Sequence, residues 1–511
     1  MMIEKVEGSL AIMLRFSPNP NRANLIRWHE WGDDVFRQAQ AEDKPVMLFL
    51  TAFWCRFCQR MDEGAFSDDE NIALLNAYFV AIRAEDTQRP DVNTRYNLNG
   101  WPTVAFMTPK GELLGATNYL PGEEFGNLLA RLYTAYHEKK DAIRAARRNS
   151  GDAPFETPAS VTRGPLTEST LSAVTAAIMD LADRVHGGYG KGQKFIHPEP
   201  NDFLLSRYEA TKDATCLDHV CLTLDRMKQG EIHDHEGGGY FRTSSNADWS
   251  GPHREKLLVE QAGLLANSLR AFRITQHRDY SLMAEEIIDY LNRRLSDPTD
   301  DAFYGCEDFL RNETVEASSA GEFFSIIDSC IYTDANAQAV VAYLDAAEIL
   351  EASRYQEQAL QTLEFLTHRC RNPEGGMFHY FDGSAHVPGW LSDQARMGIA
   401  LVHAYRATGA AGYLKQARGL ADFILEKFKN PDGGYYDVAA LGPAYLSFRL
   451  TLIEQNGAAA SFFLALAEAA KETRYRDAAL WALSPFTGDF SSYGIHASAF
   501  GQALVKLLHG T

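Results

Sequence analysis

The sequence predicts two domains of different class, an α/β domain over residues 1–148 and an all-α domain over residues 167–511. Three observations support this division. An apolar run typical of a buried strand leads directly into a Cys-x-x-Cys motif at the start of a helix. Residues 149–166 are rich in proline, glycine, serine and threonine and lack apolar periodicity, as expected of a linker. From residue 167 onward, apolar residues recur every three or four positions in one segment after another.

The composition limits the classes of function. A chain of 511 residues is longer than one ordinary domain. Its formal net charge of −19 argues against nucleic acid and against an anionic membrane surface as partners. No apolar run approaches the roughly 20 residues of a membrane span, and we predict no signal peptide at the N-terminus. Seven cysteines, an odd number, do not make a disulfide framework. We therefore expect a cytoplasmic protein.

The chemistry of the first domain centres on Cys55 and Cys58, which follow a predicted strand over residues 45–50. A thiol at the start of a helix lies near unpaired backbone N–H groups and the positive end of the helix dipole, which favour the thiolate. Arg56 adds a positive charge beside it. Cys55 is therefore the predicted nucleophile, and Cys58, one helical turn further on, is the predicted resolving thiol.

Half of a structural zinc site is the alternative interpretation of this pair. Such a site needs four ligands, commonly from a second pair of cysteines. Cys216 and Cys221 are closely spaced, but they lie far along the chain in a helical pattern. We therefore assign no metal and no cofactor to the chain.

The other elements of the first domain follow from periodicity and turn signals. Residues 1 to about 25 are expected to be an irregular lead-in, and residues 28–31 are expected to open the first helix. Helices are predicted over residues 33–42, 66–78 and 122–148. Further strands are predicted over residues 79–83, 104–107 and 113–117, the last two as a hairpin.

These motifs resemble thioredoxin. A Trp-Cys-x-x-Cys begins at Trp54, and Trp101-Pro102-Thr103 leads into a hairpin with Lys-Gly-Glu at its turn. The resemblance implies that Pro102 follows a cis peptide bond and faces the cysteines. It also implies that Trp54, Trp101 and Pro102 line the substrate groove.

Residues 24–121 are similar to the N-terminal domain of the YyaL-like family, whose vertebrate members are the spermatogenesis-associated thioredoxin-like proteins. The matching residues are Trp28, Trp31-Gly32, Asp43-Lys44-Pro45, Cys55, Cys58, Met61, Phe66, Arg89-Pro90-Asp91, Tyr96 and Gly100-Trp101-Pro102. The sequence also departs from the pattern. Gln59 stands where the family usually has histidine, and Phe49 stands where thioredoxin has a buried aspartate, so a local proton acceptor is missing.

The second domain is predicted to contain eleven helices, with room for a twelfth. They cover residues 171–185, 212–229, 256–275, 280–295, 334–352, 355–370, 393–408, 411–428, 457–473, 475–483 and 497–509. Two repeats accompany them. A Gly-Gly-aromatic element occurs at residues 187–189, 238–240, 375–378 and 433–435, with a degenerate copy at 301–304. A tyrosine opens the later helix of each pair, at Tyr280, Tyr355, Tyr413 and Tyr475.

Paired helices repeated about every 50 to 75 residues predict an (α/α)6 toroid with glycine loops at one end. The YyaL-like family carries such a second domain, related to N-acylglucosamine 2-epimerases and other six-hairpin sugar enzymes. Residues 236–241 and 252–256 resemble it most.

Polar residues at the helix starts, with aromatic residues in the loops, form a candidate pocket in the toroid. General acid/base work by Glu255 with His253 would suit a sugar substrate. Three interpretations stay open: helix caps and core packing, a carbohydrate pocket, and a protein-binding groove. The candidate residues are Trp249, His253, Glu255, Lys256, Asp334, Asn336, Trp390, Asp393 and Tyr435.

The leading functional hypothesis is a thiol–disulfide oxidoreductase module joined to a helical toroid. Its expected partner is a protein or small-molecule disulfide, and a carbohydrate is one candidate ligand of the toroid beside the other interpretations of its polar residues. One alternative is a sugar epimerase, isomerase or hydrolase with a structural thioredoxin-like domain. Another is a binding scaffold without catalytic activity.

Overall fold

The computed structural model of the chain describes residues 15–150, 164–299, 301–311 and 323–510, without the side chains of residues 139–150 and 311. The predicted linker lies outside these ranges except at its ends. The chain divides into two compact units. The first contains the N-terminal region up to Ala159 together with Ala440–Arg449, and the second contains Ser160–Ala439 and Leu450–Thr511.

The first unit is an α/β domain around a five-stranded mixed sheet. Its elements are β1 (Trp28–His29), α1 (Asp33–Glu42), β2 (Val46–Thr51), α2 (Arg56–Glu63), α3 (Asp69–Tyr78), β3 (Val80–Glu85), α4 (Pro90–Tyr96), β4 (Thr103–Met107), β5 (Leu113–Thr117) and α5 (Gly122–Ser150). The strand order is β1-β3-β2-β4-β5. β1 and β2 run parallel to β3, whereas β4 is antiparallel to β2 and to β5.

The buried strand before the cysteines is confirmed, because every residue of β2 is buried between the two layers of helices. The helix predicted over residues 66–78 begins at Asp69, because the Asp68 carboxylate accepts the backbone N–H groups of Glu70 and Asn71 and caps α3. Trp28 and His29 form an edge strand rather than the first turn of a helix. They pair with Ala81 and Ile82, which are distant in the sequence, and local periodicity does not predict such contacts.

Residues 440–449 belong by their contacts to the first unit, although the sequence analysis assigned them to the helical domain. The Tyr445 ring stacks on Tyr96, with centroids 5.0 Å apart and planes 8° from parallel. Its hydroxyl accepts the backbone N–H of Leu113. Arg95 donates to the carbonyl oxygens of Tyr445 and Phe448. The strap 440–449 therefore completes one of the two apolar cores of the sheet.

The second unit is a ring of helical hairpins. Its helices, within the described residues, are α6 (Glu168–Met179), α7 (Pro198–Thr211), α8 (Ala214–Gln229), α9 (Leu258–Thr275), α10 (Arg278–Tyr290), α11 (Thr333–Ile349), α12 (Ser353–Arg369), α13 (Leu391–Thr408), α14 (Ala411–Lys427), α15 (Ile453–Ala470), α16 (Thr473–Leu483) and α17 (Ser498–His509). A π-helical turn, Leu291–Leu295, extends α10.

Six of these helices line the inside of the ring. α7, α9, α11, α13, α15 and α17 pack each on the next, and α17 packs back on α7 to close the ring. The other six lie outside, each against an inner partner, so the described residues confirm the (α/α)6 prediction. The inner helix α7 was not among the eleven helices predicted from the sequence.

Short strands join the loops at the start of the inner helices. They form three sheets of three strands: β6 (Lys194–Phe195), β7 (Thr243–Ser244) and β8 (Pro252–His253); β9 (Lys256–Leu257), β10 (Cys306–Arg311) and β11 (Phe323–Asp328); β12 (Ile331–Tyr332), β13 (Phe378–Phe381) and β14 (Ala385–Pro388). Among the residues that the structure describes, none of the helices is both long and apolar enough to cross a membrane.

Candidate redox site and the mouth of the helical ring

Cys55 and Cys58 form a disulfide at the start of α2. The Cys55 sulfur accepts the backbone N–H of Cys58 at 3.1 Å, so it occupies the N-cap position of the helix. A sulfur in this position is stabilised as a thiolate by the unpaired N–H groups of the first turn. Cys55 is 5% exposed and Cys58 is 1% exposed, so Cys55 is the more accessible thiol of the pair.

Aromatic side chains pack against the apolar cluster that contains the disulfide. Trp54 and Trp101 meet edge to face with ring centroids 5.2 Å apart. The peptide bond between Trp101 and Pro102 is cis, as the resemblance to thioredoxin predicted. Phe57, between the two cysteines, is 49% exposed and packs against Tyr119. Together these side chains offer an apolar surface next to the sulfur atoms.

A buried ion pair lies behind the cysteine helix. The Arg83 guanidinium donates to both oxygens of Asp62 at 2.7 and 2.8 Å, and both side chains are 1% exposed. Arg83 also lies over the Phe49 ring, 4.9 Å from its centroid. Phe49 stands where thioredoxin has its aspartate, and the Asp62 carboxylate on the cysteine helix is paired with Arg83. The sequence signal for Asp62 was its position one helical turn after Cys58.

A pair of acidic side chains, Glu85 and Asp86, lies at the base of the cysteine loop. Glu85, at the end of β3, is 4% exposed and accepts the backbone N–H groups of Phe53 and Gln88. Burial and the neighbouring charge of Glu85 raise the pKa of the Asp86 carboxyl well above its usual range. Glu85 therefore fixes the backbone two residues before Cys55. This pair could not be predicted from the sequence, because its position depends on the register that sets Thr51 opposite Glu85.

In the helical unit, an amide side chain at the fourth position of four inner helices holds the preceding loop. Its oxygen accepts a loop backbone N–H at 2.7 to 3.0 Å, and its nitrogen donates back to the same residue's carbonyl. We call this contact the amide clamp. The pairs are Gln261 with Tyr240, Asn336 with Phe303, Gln394 with Met377 and Asn456 with Tyr435.

The amide clamp explains the Gly-Gly repeat. Gly376, just before the clamped Met377, has a φ of +76°, and a Cβ there would lie 2.8 Å from the Gln394 amide oxygen. A side chain at this position would therefore be strained and would also collide with the clamp. Asn336, predicted as a pocket residue, is fully buried and used by its clamp on Phe303.

Lys256 belongs to a repeated structural ion pair. Its ammonium group is fully buried and donates to Asp234 at 2.6 Å and to the Gly238 carbonyl at 2.7 Å. Lys194 makes the same two kinds of contact with Asp183 and Gly190. Because the arrangement occurs in two successive glycine loops, it supports the loop fold rather than a pocket.

The structure places most of the other predicted pocket residues in packing roles. Trp249 is fully buried and donates its indole N–H to the His186 carbonyl. Tyr435 is fully buried, and Trp390 is 6% exposed. Glu255 is buried and paired with Arg242 at 2.8 Å. His253 is exposed, with its Nε2 3.4 Å from the Ser245 hydroxyl.

Two of the predicted residues, Asp334 and Asp393, come together with His379, which the sequence analysis did not select. We call this group the Asp–His–Asp cluster. His379 Nδ1 lies 3.0 and 3.2 Å from the two carboxylate oxygens of Asp393. Asp393 and His379 are buried, and Asp334 is half-buried. Burial raises the pKa of Asp393 to about 7, against the opposing effect of His379 and with a further rise from Asp334.

The inner helices enclose a cavity of about 730 Å³ lined by both charged and small side chains. Arg396 of α13 lies 3.5 Å from Glu199 of α7, and these two helices are opposite members of the ring. Their ion pair therefore crosses the lumen. Other charged lining residues are Asp202, Arg270, His403 and Lys506.

Comparisons with known proteins agree with this division. Residues 19–153 match the family model Thioredox_DsbH, described as "Protein of unknown function, DUF255". The rat "Spermatogenesis-associated protein 20" is 29% identical over 307 residues, which cover 56% of this chain and 39% of that protein. The chain thus spans less than half the length of the curated relatives of this type. The "Thiol:disulfide interchange protein DsbD" of Yersinia pestis is 32% identical over 96 residues, 17% of this chain and 16% of that protein.

Solved structures resemble the helical part. Cellobiose 2-epimerase from Bacillus thermoamylovorans aligns with a TM-score of 0.51 at 14% identity, covering 62% of this chain and 86% of that one. A D-mannose isomerase aligns with a TM-score of 0.52 at 11% identity, covering 67% and 97%. At such identities the likeness concerns the fold alone. The resemblance predicted from the sequence is confirmed: the first domain is similar to the Thioredox_DsbH model, more than half of the chain is similar to spermatogenesis-associated protein 20, and the helical domain shares its fold with these sugar-epimerase and isomerase structures.

Proposed function

We propose that the chain is a thiol–disulfide oxidoreductase that acts through Cys55 and Cys58. The observation that carries the proposal is the Cys55–Cys58 disulfide at the N-terminus of α2, with the Cys55 sulfur at the N-cap. A helix N-terminus lowers the pKa of a thiol and so supplies thiolate at neutral pH. The similarity to the thiol:disulfide interchange protein supports the same chemistry.

The reaction needs no cofactor. In the reduced protein, the Cys55 thiolate attacks one sulfur of a substrate disulfide, forms a mixed disulfide and releases the other substrate sulfur as a thiolate. The Cys58 thiolate then attacks the Cys55 sulfur and releases the second substrate thiolate. Two electrons pass from the protein dithiol to the substrate, which takes up two protons. The reverse sequence oxidises a substrate dithiol.

The surface around the sulfur atoms favours a protein disulfide as the substrate. Phe57 and the Trp54–Trp101 pair present aromatic faces that suit an extended peptide segment. Arg56 and Arg60 lie on the same short helix, and Arg60 stacks over the Phe57 ring at 5.3 Å. We therefore propose that the preferred substrates present the disulfide in a segment with apolar and acidic side chains.

Reduction of insulin disulfides by dithiothreitol tests the proposal. We expect the unmodified chain to accelerate the reaction, and Cys55→Ser and Cys58→Ser to reduce the rate to the uncatalysed value. Cys221→Ser, which removes a half-buried free thiol of α8, is the matched control and should keep full activity. Acceleration that survives in Cys55→Ser, or that is absent from the unmodified chain, would contradict the proposal.

A second proposal concerns the lumen of the ring. The Glu199–Arg396 pair inside a cavity of about 730 Å³ offers the charged and hydrogen-bonding groups that a small polar ligand needs. We propose a neutral mono- or disaccharide as this ligand. Titration calorimetry with mannose and cellobiose should show saturable binding that Arg396→Met weakens and that Arg278→Met, a change on outer helix α10, leaves intact. Absence of binding across these sugars would remove the proposal.

A further inference from the structure

We propose that the Asp–His–Asp cluster of Asp334, His379 and Asp393 is a binding site for one divalent transition-metal ion, with Zn²⁺ as the best match. The ligand-bearing atoms of the three side chains all lie within 4.8 Å of one another. The proposal contradicts our prediction from the sequence, which assigned no metal, and it is independent of the redox proposal.

The distances within the cluster suit a shared ion. Two donor atoms each about 2.1 Å from one ion, at angles between octahedral and tetrahedral, are about 3.0–3.4 Å apart. His379 Nδ1 lies 3.0 and 3.2 Å from the two oxygens of Asp393. An oxygen of the Asp334 carboxylate lies within 4.8 Å of the ligand atoms of His379 and Asp393. An ion can therefore be coordinated with small movements of side chains.

The charges also favour a cation. Asp393 is fully buried and His379 is 2% exposed, and a second carboxylate lies beside them. One imidazole offers at most a single positive charge against the two negative charges of these carboxylates. Collecting like charges in a buried place is costly unless a cation is present. Asp334 is half-buried, so the ion has a route from solvent on that side.

The backbone holds the ligands in place. Asp334 lies in the first turn of α11, two residues before the clamp residue Asn336. Asp393 lies in the first turn of the neighbouring inner helix α13, directly before the clamp residue Gln394. His379 lies on β13, whose neighbouring residue Tyr380 pairs with Tyr332 at the start of α11. Ligands carried on such fixed elements lose little conformational freedom when an ion binds.

The set of donors points to the class of metal. One imidazole nitrogen and two carboxylate oxygens suit Zn²⁺, Mn²⁺ or Co²⁺. Ca²⁺ and Mg²⁺ prefer oxygen ligands throughout. Among the first group, Zn²⁺ is expected to bind most tightly at a given site.

Titration calorimetry of the full oxidised chain with Zn²⁺ tests the proposal, since the Cys55–Cys58 disulfide then keeps these thiols from binding the ion. We expect one ion per chain, at least about 100-fold weaker binding in Asp334→Asn and Asp393→Asn, and negligible binding of Mg²⁺. His386→Ala is the control, because His386 lies on the adjacent strand β14 and pairs with Asp382 instead. Co²⁺ should give a visible absorption band that Asp334→Asn removes.

Either of two results would overturn the proposal: no Zn²⁺ binding by the unmodified chain, or binding that Asp334→Asn leaves unchanged. Binding lost equally in His386→Ala would place the ion elsewhere and would count against it as well. If Asp393→Asn does not fold, Asp334→Asn decides the outcome, since Asp334 is half-buried and the amide is isosteric. Circular dichroism of Asp334→Asn should match that of the unmodified chain.

Discussion

The cysteine loop and the mouth of the helical ring differ in how far their functional groups can be assigned from local sequence. In the cysteine loop, the reactive atoms lie within four consecutive residues, Cys55 to Cys58, and the geometry follows from the strand and helix on either side. At the ring mouth, polar residues recur at each helix start, but most are used by the amide clamp or by buried ion pairs. A polar residue at a helix start therefore has no defined role until its partner is known.

The largest effect on stability is expected at Lys256, which was predicted to line the pocket but forms a buried ion pair. Lys256→Met leaves the Asp234 carboxylate without its buried partner, so we expect the helical unit to lose about 3 kcal/mol in free energy of unfolding. Lys415→Met, a change of an exposed lysine, should stay within about 0.5 kcal/mol of the unmodified chain. Urea denaturation measures both. Equal stability of the two variants would show that the fold does not need Lys256, which would then again be a candidate residue of the pocket.

A smaller loss is expected when the strap is removed from the first unit. Tyr445→Ala deletes the ring stacked on Tyr96, at a cost of about 2 kcal/mol. Tyr445→Phe keeps the ring and loses the hydrogen bond from Leu113, at a cost of about 1 kcal/mol. Amide hydrogen exchange in β4 and β5 should rise in that order. Unchanged hydrogen exchange in Tyr445→Ala would mean that the strap does not stabilise this core. The predicted assignment of residues 440–449 to the helical domain would then stand.

The smallest effect concerns Glu260, in the first turn of α9. Burial raises its pKa from 4.5 to about 8; Arg242 opposes the rise, while Glu255 and Glu199 add to it. Between these pH values the folded state holds a proton that the unfolded state has lost, so stability falls as the pH rises. We expect the stability of Glu260→Gln relative to that of the unmodified chain to increase as the pH rises from 5 to 8, because the amide does not titrate. If the melting temperatures of Glu260→Gln and the unmodified chain changed equally with pH over this range, the raised pKa of Glu260 would be contradicted.

Local patterns predicted the parts of the fold that are locally determined. The amphipathic outer helices and the buried strand β2 were found because one face, or the whole segment, is apolar. The inner helix α7 was missed because it begins with Pro198 and is buried on several sides, which removes the amphipathic stripe. α4 was missed because it is short and buries the charged residues Asp91 and Arg95.

The candidate site residues divide in the same way, into those that local sequence predicts and those that depend on contacts between distant segments. Cys55 and Cys58 could be predicted, because the chemistry needs two cysteines at one spacing on one helix. Asp334 and Asp393 were selected for their position, but His379 was not, because it comes from a loop strand between them. Arg83 and Glu85 were also missed, since their partners depend on strand register. Contacts between elements distant in the sequence decided each of these cases.

The central claim, that Cys55 is an activated thiol, is tested most directly by its alkylation. The reduced chain is treated with iodoacetamide at pH values from 5 to 9, and labelling of Cys55 is followed by mass spectrometry. A thiolate stabilised by the N-terminus of α2 should react with a midpoint at least about one pH unit below the value near 8.5 of a free cysteine. A midpoint for Cys55 equal to that of a model thiol would contradict the account.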